Sequence, residues 1–258
     1  LIFSALIVSG FRLRDLFGKP PAAQPQPTIN TRPAAAPEKN LVAPEGMVYL
    51  LGGNFRMGTD EGDLFEAPAH DVTIAPFFMD RTEVTNEQYA AFIKATNHAA
   101  PTDWKNNAYP EGSATFPVVQ VSWQDANDYA SWAGKRLPTE AEWEFAARAS
   151  DNRRYSWGAE WNASKANTSE SQLNHPVAVG SYEANPVGLL DMTGNVWEWT
   201  ASEVLSYKDS GITLAPGKVI RGGAFYAPKE RASTTFRGFA PPDKKANGIG
   251  FRCVKDVN

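Results

Sequence analysis

The chain of 258 residues is 42% hydrophobic, 21% charged and 12% aromatic, with a formal net charge of −4, which is the profile of a folded body rather than of a disordered tail. A near-neutral balance without a block of Lys and Arg excludes the electrostatic footprint of a nucleic-acid binder. A single cysteine, Cys253, excludes an intramolecular disulfide, a cysteine-cluster zinc site and an iron–sulfur centre.

In chain order, Leu1 to Gly10 are almost wholly apolar, and Arg12 and Arg14 follow at once. This run is shorter than the roughly 20 residues that cross a bilayer. Residues 1–18 therefore read either as the remnant of a membrane anchor or as an apolar helix packed on a partner. An anchor places the expected location at a membrane with the domain on the extracytoplasmic, periplasmic side, although basic residues on the domain side oppose the usual orientation. Residues 19–45 hold seven prolines among Ala, Gln and Thr, the composition of an extended linker. Residues 46–258 have the size of one domain.

Within that domain Thr85 and Gln88 predict a capping box, followed by Tyr89, Phe92 and Ile93 at helical spacing. Ser122 predicts a second helix with Ala126, Tyr129, Ala130 and Ala133 on one face, stopped at Gly134. Thr139 and Glu142 cap a third, with Trp143, Ala146 and Ala147 facing inward. Its Glu140, Glu142 and Glu144 read as acids favoured by a helix N-terminus, not as a catalytic carboxylate pair. Strands are predicted at 47–51, 71–74, 218–220 and 250–254. With many loops between, the fold class is α+β. His70, His98 and His175 are too scattered for a metal motif and read as structural or loop residues.

Several segments, taken in order and spacing, resemble the formylglycine-generating enzyme or sulfatase-modifying factor family, whose fold is similar to C-type lectins. They are GMVYLLGGNFRMGT at 46–59, HDVTIAPFFMDRTEVTNEQY at 70–89, PVVQVSWQDANDYASWAGKRLPTEAEWEFAAR at 117–148, YSWG at 155–158, GLLDMTGNVWEWT at 188–200, VIRGGAFY at 219–226 and GIGFR at 248–252. Active members of that family oxidise a substrate cysteine, and the resemblance implies two copper(I)-binding cysteines downstream of the RGG turn. Here those positions hold Ala227 and Ala232, and alanine supplies no thiolate for a soft metal. The iron-dependent sulfoxide synthases of the family carry a His-rich site that has no counterpart in this sequence. Neither copper nor iron is expected, and Cys253 reads as a small buried hydrophobe.

The resemblance further implies a calcium ion held by Asp191, the carbonyls of Gly194 and Val196, and Glu198, hard oxygen donors suited to that ion. The plain alternative is that Asp191 and Glu198 only brace their loop. A second family calcium site near Asn167 and Thr168 lacks a matching acid.

The expectation is thus a non-catalytic binding module, an anchored accessory subunit of a membrane complex with protein partners. The alternatives are the ligand-sensing domain of a receptor or kinase and, disfavoured, an oxidase of the formylglycine-generating type. Contact residues are expected where the active site has been replaced, at Tyr226, Lys229, Arg231, Phe236, Arg237 and Phe239. Trp104, with Asn106 and Tyr109, adds a nearby insertion.

Overall fold

The computed structural model describes residues 42–148, 151–211 and 214–257, so the anchor and most of the linker lie outside the described residues. In chain order the elements are β1 (Met47–Leu50), β2 (Gly53–Met57), β3 (His70–Ile74), β4 (Phe77–Asp80), α1 (Asn86–Thr96), α2 (Trp123–Trp132), α3 (Glu140–Arg148), β5 (Trp197–Glu203), β6 (Lys218–Arg221), β7 (Gly238–Ala240), β8 (Ile249–Gly250) and β9 (Val254–Asp256). The architecture is α+β, as the sequence predicts. No helix among the described residues is long and apolar enough to cross a membrane.

All three helix starts form as capping boxes. The Thr85 hydroxyl accepts from Gln88 N while the Gln88 side chain accepts from Thr85 N. Ser122 and Asp125 do the same for α2. At α3, Thr139 N donates to Glu142 Oε2 at 2.8 Å and Glu142 N donates to Thr139 Oγ1 at 3.2 Å. Two orphan N–H groups are satisfied at each start, a stabilisation of about 1 kcal/mol per cap.

Three sheets position the site. β1, β4 and β9 form an antiparallel sheet, β2 and β3 a hairpin, and β7-β6-β5-β8 a four-stranded sheet in which β5 and β8 run parallel. The strand expected at 250–254 is two strands. Gly250 ends β8 in the four-stranded sheet, Val254 opens β9 in the other, and the buried residues Phe251, Arg252 and Cys253 cross between them. β5 escapes period-two reading because its first four residues are buried on both faces.

Two apolar cores result. Helices α1 and α2 pack Tyr89, Phe92, Tyr129 and Ala130 against Trp199, Ile220 and Phe251. Helix α3 packs Trp143, Ala146 and Ala147 against Phe77, Met79, Leu189 and Met192. Fully buried tryptophans such as Trp143 and Trp199 each hide about 150–250 Å², which compensates for the high loop content.

The three glutamates of α3 do more than favour the helix dipole. Glu140 receives Nε and Nη2 of Arg237 at 2.6 and 2.9 Å. Glu142 receives both Nη atoms of Arg136. Glu144 takes the Gly58 amide at 2.7 Å and the guanidinium groups of Arg148 and Arg221. Glu140 and Glu144 thus anchor distant segments, while Glu142 holds Arg136 just before the helix.

Candidate functional site

The β5–β6 pair sets Glu198 opposite Arg221, and the chain then turns sharply at Gly222 and Gly223, both with positive φ. A Cβ on Gly223 would lie 2.8 Å from the Cα and Cβ of Ala232, so the turn is pressed onto the returning segment. Between them Ala227 N donates to Ala224 O, Ser169 N donates to Ala227 O at 3.0 Å, and Lys229 N donates to Glu170 Oε1 at 2.9 Å. A short helical turn at Lys229–Ala232 completes the loop. Ala227 and Ala232 are both buried, at 3% and 0% exposure. Where a metal would need two thiolates, the interior holds two methyl groups.

Only part of the predicted contact set gathers beside this loop. Tyr226 is half exposed, and its ring lies so close over Gly248 that a Cβ there would meet it at 2.3 Å. The Arg231 guanidinium stands 6.0 Å from the centre of the Phe236 ring, which in turn tilts against Trp197 at 5.9 Å. Lys229 is half-buried and Arg231 exposed. Phe239 belongs elsewhere, edge-on to Phe65 and beside Arg237.

Arg237 is buried, bound to Glu140 and stacked 4.1 Å from the Tyr207 ring, so it offers no contact surface. Trp104 is likewise core, packed between Tyr89 and Tyr109. A buried indole has left the surface because its large apolar area is worth more inside. Asn106 is exposed and Tyr109 half-buried.

The DMTGNVWE loop lies behind the turn. Asp191, Gly194 and Asn195 take positive φ. Gly194 has no room for a side chain, since a Cβ would meet the Asn167 carbonyl at 2.3 Å. Gly194 N donates to Gly222 O and Asn195 N to Asn167 O, coupling this loop to the glycine turn.

Glu198 differs from its expected role. Both its oxygens accept from Arg252, each at 2.7 Å, and Oε2 also accepts from Trp143 Nε1 at 2.8 Å. Both Glu198 oxygens are thus engaged by the Arg252 guanidinium, so this member of the expected calcium set is already held in an ion pair.

The residue that sequence reasoning missed is Glu83, fully buried in the loop between β4 and α1. Its Oε1 accepts from Asn195 Nδ2 at 2.9 Å, while its Oε2 has no hydrogen-bond partner. Asp191 Oδ2 accepts from Gly180 N at 2.6 Å, and Asp191 Oδ1 is also buried without a partner. Burial pushes the Glu83 carboxyl well above its usual range, reinforced by the negative Asp191 beside it. Burial raises Asp191 as well. Three buried carboxyl groups, Glu83, Asp191 and Glu198, face one guanidinium, Arg252, and the raised Glu83 carboxyl is placed to share its proton with Asp191. Nothing local to Glu83 tells of a partner more than 100 residues away.

Asn167 and Thr168 are buried and already engaged, Asn167 Oδ1 by Ser171 and Thr168 Oγ1 by Glu170. His70 and His175 bind nearby carbonyls and His98 binds Asp125. No group of three or more His, Cys, Asp or Glu that could hold a metal occurs among the described residues. The Cys253 thiol is buried and pushed well above its usual range by that burial.

A family model described as the sulfatase-modifying factor enzyme 1-like domain matches residues 32–257. The chain belongs to this family. It is 34% identical to the formylglycine-generating enzyme of Streptomyces coelicolor, over 92% of this chain and 96% of that relative. It is 31% identical to the inactive C-alpha-formylglycine-generating enzyme 2 of Mus musculus, over 82% and 86%. Among solved structures, PvdO from Pseudomonas aeruginosa superposes with a TM-score of 0.72 at 30% identity, covering 82% of this chain and 94% of that one. The family therefore includes both active and inactive relatives of similar distance, and the residues of the site must decide between them.

Proposed function

We propose that this chain is a non-catalytic member of its family, a binding domain that serves as an accessory subunit of a membrane-associated complex with its domain on the extracytoplasmic side. One observation carries the loss of catalysis. Ala227 and Ala232 are buried, Ala232 against the glycine turn, at the positions where copper(I) chemistry would need sulfur. An inactive relative at 31% identity gives such a loss a precedent within the family. The exposed Tyr226 and Arg231, carried on a loop pinned by Glu170 and Gly223, form the surface on which a protein partner would dock. The apolar Leu1 to Gly10 run supports attachment at a membrane.

The test has two arms. Incubation with copper, oxygen and a cysteine-containing sulfatase-type peptide is expected to give no aldehyde, and any turnover overturns the reading. Purification of the full chain from its native membrane is expected to bring down a partner at fixed stoichiometry, and an isolated monomer overturns the subunit role.

We propose that a calcium ion rests on Asp191 and Glu83, whose Oδ1 and Oε2 are buried without a hydrogen-bond partner. A divalent cation there would hold both carboxyls ionised against the burial that raises them. Its contribution would be structural, joining the loop between β4 and α1 to the DMTGNVWE loop.

A further inference from the structure

Away from the glycine turn, a cleft of about 380 Å³ opens between loop 59–66, segment 152–154 and turn 230–236. Its size is at the lower end of small-molecule sites, which run from about 300 to 1,000 Å³. Arg148 lines it with a side chain only 7% exposed. Its Nη1 is spent on the carbonyls of Arg56 and Gly58 and on Glu144 Oε1, at 3.0, 2.9 and 2.8 Å. Its Nε is buried and has no partner. A buried donor left unpaired costs about 1–3 kcal/mol, so an acceptor brought in by a ligand would recover free energy here.

The lining of the cleft carries both signs. Loop 59–66 brings Glu61 and Asp63, both exposed and neither in an ion pair among the described residues. The opposite side brings Arg153, which is tied to Asp151, Arg154, whose guanidinium lies 5.7 Å from the Tyr155 ring centre and has no carboxylate within ion-pair distance among the described residues, and the exposed Glu230. Ser233 and Thr235 add hydroxyls. Guanidinium groups and carboxylates thus surround one volume, and a ligand bearing both charges can meet each kind.

We infer that this cleft binds a zwitterion of amino-acid or dipeptide size, its carboxylate toward Arg148 and Arg154 and its ammonium group toward Glu61 and Asp63. The inference is independent of the oxidase question, because none of these groups is part of the Ala227–Ala232 loop interior.

The test is calorimetric titration of the full chain with alanylalanine, its N-acetyl form and its C-terminal amide, each up to about 10 mM. Binding of the free dipeptide is expected, weakened about tenfold or more when either end is blocked. Arg154→Gln and the pair Glu61→Gln with Asp63→Asn change exposed residues, and each is expected to weaken binding about tenfold without moving the melting temperature. Arg148 itself also holds Gly58 and Glu144, so it is not the informative variant. The inference is overturned by absence of heat with the free dipeptide, by equal binding of the blocked forms, or by full affinity in both variants.

Discussion

Arg221 of β6 is sealed against Glu144 of α3, with both side chains at zero exposure; its Nη1 also donates to the carbonyls of Thr235 and Phe236 and its Nη2 to that of Thr234, while Nε is buried without a partner. One ion pair thus fixes a strand, a helix and the loop that follows the alanine pair. Glu144→Gln removes the charge that faces both Arg221 and Arg148. We expect a loss of about 3–5 kcal/mol, the cost of leaving a buried charge uncompensated. Urea unfolding measures it, and a loss under about 1 kcal/mol would show that the pair is not what holds these elements.

Asp125 makes the fold sensitive to acid. Burial alone would raise its carboxyl, but hydrogen bonds from Lys245, Ser122 and His98 outweigh it and bring the pKa down to about 2. The folded value lies below the unfolded one, near 4. The stabilisation is therefore present above about pH 4 and is lost as pH falls toward 2. Asp125→Asn is expected to be less stable than the parent at about pH 6 and to close the gap near pH 2. A constant gap across that window contradicts the assignment.

How much of this was legible beforehand follows the range of the interactions. The capping residues Thr85, Ser122 and Thr139 act on neighbours three positions away, so their helices could be read directly. Arg237 looked like a surface contact because its partner Glu140 is 97 residues distant. Trp104 looked exposed because its insertion carries polar neighbours, yet the ring packs on Tyr89. Glu198 looked like a metal ligand because the competing Arg252 lies 54 residues on. The pair of alanines was legible as chemistry, since an absent thiol is visible in the residue names alone.

Restoring sulfur at both positions separates metal binding from catalysis. Ala227→Cys with Ala232→Cys is expected to bind copper(I) more tightly than the parent and still to form no aldehyde, because the surrounding loop has been rebuilt. Adding bulk beside Gly223 is also expected to cost about 1–3 kcal/mol. Copper affinity equal to that of the parent in a cuprous competition assay would refute the first expectation.

Calcium is expected to raise the melting temperature by stabilising the folded state, by about 2.7 kcal/mol at a hundredfold excess over its dissociation constant. Glu83→Gln should remove most of that gain, and magnesium should not replace calcium because it demands a tighter octahedron. An unchanged calcium response in Glu83→Gln would move the ion elsewhere.

Cys253, the one cysteine, lies buried on the stretch between β8 and β9, and its backbone amide donates to Asp80 Oδ2. An alkylating reagent can meet it only in molecules whose β4–β9 pairing has come apart. The protein thereby carries its own clock: the speed of labelling under native conditions reads how often the β4–β9 edge opens, with no fluorophore or engineered handle required.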